Sequence, residues 1–157
     1  MNKIRTLIIG LGRIGKIHLG NLQAIDEVEI VGICDPTDEA KVFSNKAGLT
    51  FYQKDFIDVA SEVETDAIVI CSPTDTHAKY VSIAAKKGID VFCEKPLDLS
   101  LQKVKQILKI VNESKIKLML GFNRRFDSEF QSVKEKIVKG HIGDIHTIKI
   151  TSRDPSP

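Results

Sequence analysis

The sequence predicts an α/β protein built on a doubly wound parallel sheet. Three observations carry that reading. Short apolar runs of strand length alternate with helical apolar spacing as far as Gly140. One of those runs, Asp66-Ala67-Ile68-Val69-Ile70-Cys71, is nearly all apolar, as strands buried on both faces of a parallel sheet are. The first run also empties into a glycine-rich turn, Gly10-Leu11-Gly12-Arg13-Ile14-Gly15, and the second ends on an acid, Asp35.

In chain order, a strand over 3–9 leads through that turn to a helix over 13–25, with Ile14, Ile17, Leu22 and Ile25 as its apolar face. His18 shares the helix and is expected to pack or hydrogen-bond rather than to do chemistry. A strand over 28–34 follows, then a helix over 38–47 closed by Gly48 as a left-handed cap. A short strand, 50–52, and a helical turn, 56–60, precede the 66–71 strand. Thr74 or Asp75 is the expected cap of the next helix, which turns Val81, Ala84 and Ala85 inward and closes at Gly88. A strand over 89–93 delivers Glu94-Lys95-Pro96. Ser100 then opens a helix with Leu101, Val104, Ile107, Leu108 and Val111 on one face. The last strand of the sheet covers 117–120. Asp127 or Ser128 caps a final helix with Phe130, Val133 and Ile137 inward and Gly140 beyond it.

The glycine spacing fits the dinucleotide-binding pattern G-x-G-x-x-G, and each glycine has a physical task. Gly10 permits a tight turn with positive φ. A side chain at Gly12 would stand between the backbone and a pyrophosphate, and Gly15 lets the helix lie close to the strand. The helix opening at Arg13 points free N–H groups and a partial positive charge at bound phosphates. Asp35, about twenty residues past Gly15, stands where a carboxylate accepts hydrogen bonds from a ribose. It would repel a 2′-phosphate, and no arginine follows it closely, so NAD is favoured over NADP. A purely structural strand-to-helix turn is the competing explanation.

A length of 157 residues suits a domain with a proper core, and 42% hydrophobic with 28% charged residues is ordinary globular composition. A net charge of +2 carries neither a nucleic-acid footprint nor a strong membrane attraction, and no run approaches a membrane span. The apolar stretch at the N-terminus is too short for a signal peptide, so a cytoplasmic protein is expected. Cys34, Cys71 and Cys93 are far apart, without a C-x-x-C pair, and read as packed thiols rather than as disulfides or metal ligands. In doubly wound sheets ligands lie beyond the C-terminal strand ends. That rule selects the loops 10–15, 71–77, 93–97 and 121–125.

The segments GLGRIGKIHLGNL, Cys34-Asp35-Pro36, SPTDTHAKY, FCEKPLDLS, GFNRRFD and GDIHTIKITSRDP resemble the N-terminal half of the Gfo/Idh/MocA oxidoreductases over nearly the whole chain. GFNRRFD with the later SRDP narrows the likeness toward the inositol dehydrogenases among them. The resemblance implies a Rossmann NAD(P)-binding domain over 1–123. Residues 124–157 would then be a connecting helix and the start of an α+β substrate domain, whose first strand is Asp144–Ser152. It also implies hydride transfer from a secondary alcohol of a polyol or sugar to NAD. Lys95 would reach the nicotinamide ribose and the reacting hydroxyl, where an ammonium stabilises developing alkoxide charge. A solvated turn lysine is the plain alternative.

By the same resemblance Ser72, Pro73 and Thr74 run along the cofactor with His77 holding their loop, and Glu94 joins the cofactor-binding set. Asn123 and Arg125 would lie near the nicotinamide end. Arg13, and Ile14 beside it, would belong to the phosphate-facing turn, although Arg13 could equally point into water. Family members carry an aspartate and a general-base histidine together on a later helix. No such motif occurs here, and His141 and His146 fall too early to match it. The 144–152 strand, with an open edge, is expected to pair two copies into a homo-oligomer or to stay disordered. Two other functions compete: a non-catalytic NAD-binding or regulatory module, and a methyltransferase using S-adenosylmethionine. The E-K-P and GFNRRFD segments argue against the second.

Overall fold

The uninterrupted apolar run becomes the middle of the sheet. The computed structural model describes residues 2–151 and Arg153. Their order is β1 (Ile4–Ile9), α1 (Arg13–Gln23), β2 (Val28–Cys34), α2 (Asp38–Lys46), β3 (Phe51–Tyr52), α3 (Phe56–Val59), β4 (Ala67–Ile70), α4 (Thr74–Lys86), β5 (Asp90–Cys93), α5 (Leu101–Ser114) and β6 (Leu118–Leu120). A 3₁₀ turn (Asn123–Phe126) and α6 (Ser128–Val138) follow. The sheet is parallel throughout, in the order β3-β2-β1-β4-β5-β6. Chain order reverses between β1 and β4, and that is the switch point at which such sheets bind ligands.

Alternation along β1 divides the core. Leu7 and Ile9 pack with Phe56, Val81, Ala84, Val91, Ile107 and Val111, on the face covered by α3, α4 and α5. Ile8 packs the other way, with Leu19 of α1, Ile33 and Ala40 of α2. From Thr6 to Ile9 both faces of β1 are dry, as are those of β4 from Ile68 to Ile70, and Ile8, Ile68 and Ile70 are fully buried. At the opposite end of β1 the Arg5 backbone N–H and guanidinium both donate to Asp66, and Arg5 also pairs with Glu64. These bonds hold the Asp66 carboxyl down to about 2.

By contact the chain divides into a unit ending at Gly121 and a second beginning at Phe122. In the second, Asp127 caps α6 by accepting from Glu129 N at 3.0 Å and Phe130 N at 3.1 Å. The Gln131 side chain donates to the Arg125 carbonyl at 2.9 Å.

Several sequence expectations need correction. Helix α1 ends at Gln23, and Ile17 and Ile25 are exposed; Leu19 and Gly15 are its buried residues. The N-cap of α4 is Pro73, with no side-chain cap, so Thr74 is already helical. In α5, Leu101 and Leu108 face solvent while Ile107 and Val111 are buried, because only a narrow stripe meets α4 and the sheet. Phe130 and Val133 of α6 are exposed, not inward. Residues 145–151 form no strand and join no ladder among the described residues, and Ile145, Ile148 and Ile150 are exposed. Ser152, the last residue of the expected strand, and Asp154-Pro155 of the SRDP segment lie outside the described residues. Gly48 does adopt its left-handed cap, with φ 67°.

Candidate functional site

The site is assembled where the loops after β1, β4 and β5 converge. Gly10 turns the chain out of β1 with φ 86°, and a Cβ there would sit 2.6 Å from the Ser72 nitrogen. The first two loops thus touch backbone to backbone, and no residue but glycine fits. A Cβ on Gly15 would lie 2.1 Å from the Gly10 carbonyl, so α1 packs directly on the turn that precedes it.

Gly12 is different. Its φ is −68°, and a Cβ there would meet nothing within 4 Å. No described residue stands where a side chain at this position would go. It is the N-cap of α1, whose first turn has no side-chain cap and no acidic residue. Backbone N–H groups at the positive end of an 11-residue helix therefore face an open space beside a residue without a side chain. Arg13 is exposed and Ile14 half-buried at this end.

Asp35 is buried, and three of its four acceptor positions are filled. Oδ2 accepts from Leu11 N at 2.8 Å, and Oδ1 from Thr37 N at 2.8 Å and Thr37 Oγ1 at 2.6 Å. Thr37 Oγ1 in turn caps α2 by accepting from Ala40 N. The carboxylate consequently ties the glycine turn to the β2–α2 loop and keeps one lone pair on Oδ2.

In the loop after β4, Ser72 Oγ and Thr76 Oγ1 are 2.6 Å apart, and Thr76 Oγ1 donates to the Pro73 carbonyl at 2.7 Å. His77 is buried and stands between two carbonyl oxygens, Pro96 O at 2.7 Å from Nδ1 and Ser72 O at 2.8 Å from Nε2. A ring N–H donates to whichever carbonyl it faces, and to both when the ring carries two protons. The 71–77 and 93–97 loops are thereby joined. Lys95 is exposed, precedes a cis peptide to Pro96, and forms no ion pair among the described residues. Its backbone N–H donates to Glu94 Oε2 at 3.2 Å. Glu94 Oε1 lies 2.8 Å from His18 Nε2, and a Cβ on Gly121 would come within 3.0 Å of that same oxygen.

The structure accordingly brings together Gly10, Gly12, Gly15, Asp35, Ser72, Pro73, His77, Glu94 and Lys95. Asn123 and Arg125 belong to the second unit, exposed on its 3₁₀ turn. His18, to which the sequence assigned no chemistry, stands against Glu94. Its signal was weak: one polar side chain beside Leu19 on a helix whose buried face is narrow. Among the described residues no group of acids, histidines and cysteines is arranged to hold a metal, and no helix is long and apolar enough to cross a membrane.

A parallel sheet with this turn at its switch point is the architecture of a nucleotide-binding Rossmann domain, and comparison narrows the class. Residues 4–122 match the Gfo/Idh/MocA oxidoreductase family with NAD-binding Rossmann fold, and the chain belongs to that family. It is 41% identical to the inositol 2-dehydrogenase of Rhizobium meliloti (strain 1021), across 98% of this chain and 46% of that protein. The myo-inositol 2-dehydrogenase of Thermotoga maritima is likewise 41% identical, across 98% and 46%. Among solved structures, scyllo-inositol dehydrogenase from Lactobacillus casei, with bound NAD(H) and scyllo-inositol, superposes with a TM-score of 0.85 at 30% identity, over 91% of this chain and 43% of that one. The chain thus spans less than half the length of the curated relatives it matches.

Proposed function

We propose that these residues form the cofactor half of an NAD-dependent dehydrogenase that oxidises a ring secondary alcohol of a polyol, of the inositol type, or of a sugar. The observation that carries this is Gly12: a glycine that the fold does not need, at an uncapped helix start, at the switch point. That arrangement fits a pyrophosphate, with Gly10, Arg13, Ile14 and Gly15 shaping the same turn. The free lone pair on Asp35 Oδ2 fits a ribose hydroxyl, and its charge disfavours a 2′-phosphate, so NAD is preferred to NADP. NAD, when bound, supplies the hydride acceptor.

Ser72, Pro73 and Thr74 line the path to the nicotinamide end, with His77 bracing them against Pro96. Lys95, exposed and without an ion pair among the described residues, offers its ammonium to the alkoxide character that grows on the reacting oxygen. Asn123 and Arg125 are assigned to the nicotinamide end by family resemblance alone. Three free thiols fit a reducing cytoplasmic setting.

The family's aspartate–histidine pair has no counterpart among these residues, so the base that takes the hydroxyl proton is not supplied by them. The loss of such a base costs about 10²–10⁴ in rate. The purified 157-residue chain, given NAD and myo-inositol, is therefore expected to bind NAD and to form no NADH above about a hundredth of an ordinary dehydrogenase rate. Turnover at an ordinary dehydrogenase rate would contradict that division of labour, and failure to bind NAD would contradict the whole reading.

A further inference from the structure

The Glu94-Lys95-Pro96 turn is gripped from two helices, and only one grip lies within the loops expected to bind the cofactor. His77 of α4 holds the Pro96 carbonyl. On the other side, α1 reaches the turn through His18. Its Nε2 is 2.8 Å from Glu94 Oε1, with both side chains about four-fifths buried. A carboxylate only accepts, so the His18 Nε2–H donates, and Glu94 Oε2 is left to accept from Lys95 N. The imidazole is itself held edge-on against Phe92 of β5, with ring centroids 4.9 Å apart. Gly121 leaves room for Glu94 Oε1, where a Cβ would press at 3.0 Å. A largely buried carboxylate that lost this donor would be free to change rotamer, and the Lys95 backbone would lose its only side-chain acceptor among the described residues.

We propose that His18 is a positioning residue: through Glu94 it sets the backbone of Lys95, and with it the nicotinamide end of the site. This rests on the reading of Lys95 as a nicotinamide-side group. His18 also couples the helix of the phosphate turn to the E-K-P turn, so that the two halves of a dinucleotide meet one rigid frame.

The test uses the full chain and two probes, NADH and ADP, because ADP carries the adenosine and phosphates but no nicotinamide. His18→Phe keeps the ring contact with Phe92 and removes the donor, while His18→Gln returns an N–H near the Nε2 position; Lys95→Ala is the control. His18→Phe is expected to weaken NADH binding about tenfold with ADP binding unchanged, and His18→Gln to recover most of the loss. Should His18→Phe fail to fold, His18→Leu is read in the same way. Equal loss of both probes, or no recovery with Gln, overturns the proposal in favour of a packing role. Unchanged NADH affinity in His18→Phe, with loss in Lys95→Ala, overturns it and leaves the reading of Lys95 standing. Unchanged affinity in both variants overturns that reading and the proposal with it.

Discussion

Asp35 carries two duties on one carboxylate. Three acceptor positions hold the protein's own loops, and one remains. Asp35→Ser therefore does more than remove a charge. Losing hydrogen bonds to a buried charged group costs about 2 kcal/mol, or about 4–8 °C in Tm for a domain of this size. The expected outcome is a lower Tm, weaker NADH binding and a shift of the NAD/NADP preference toward NADP, read by thermal melts and paired titrations. An unmoved preference would remove Asp35 from cofactor choice. The tasks of Gly10 and Gly15 were legible in the sequence because a turn with positive φ and a close helix approach leave no other residue type. The pinning of Leu11 by Asp35 was not, since a hydrogen bond from a backbone N–H leaves no trace in residue identity. Nor was the choice by His18 of Glu94 as partner, which depends on how α1 is rotated over β5.

At the scale of elements, β4 was the most legible because a strand buried on both faces admits little besides apolar residues. Amphipathic helices were less so. The apolar spacing of α5 spans a wider arc than the sheet and α4 can cover, so Leu101 and Leu108 stay outside although they fit the pattern. Residues 145–151 have a strand's composition but pair with no strand among the described residues, and the ladder, not the composition, makes the strand. The three cysteines lie at or just past strand ends, and burial pushes each thiol from an ordinary 9.0 up to about 12. The unfolded chain therefore ionises its thiols before the folded one does. Their contribution is intact below about pH 9 and is lost as the pH climbs toward 12. Urea midpoints should fall between pH 8.5 and 10.5, and less so in a triple Cys→Ala chain measured against its own pH 8.5 value. Equal slopes would mean that the thiols are not shielded.

For the molecule as a whole, contacts at Gly10–Ser72, His77–Pro96 and His18–Glu94 join the loops after β1, β4 and β5 into one frame around the switch point. The position of that frame was legible from strand order, whereas its bracing by two histidines was visible only in three dimensions. On the proposed function, the open space over Gly12 is kept for a pyrophosphate. The most direct measurement is an NADH titration of the chain beside its Gly12→Ala variant, with thermal melts of both. A methyl group meets none of the described residues, so the variant should melt within a few degrees of the parent yet bind NADH about a hundredfold more weakly or not at all. Full NADH affinity in a folded Gly12→Ala chain would contradict the account, because the glycine would then serve neither the fold nor the cofactor.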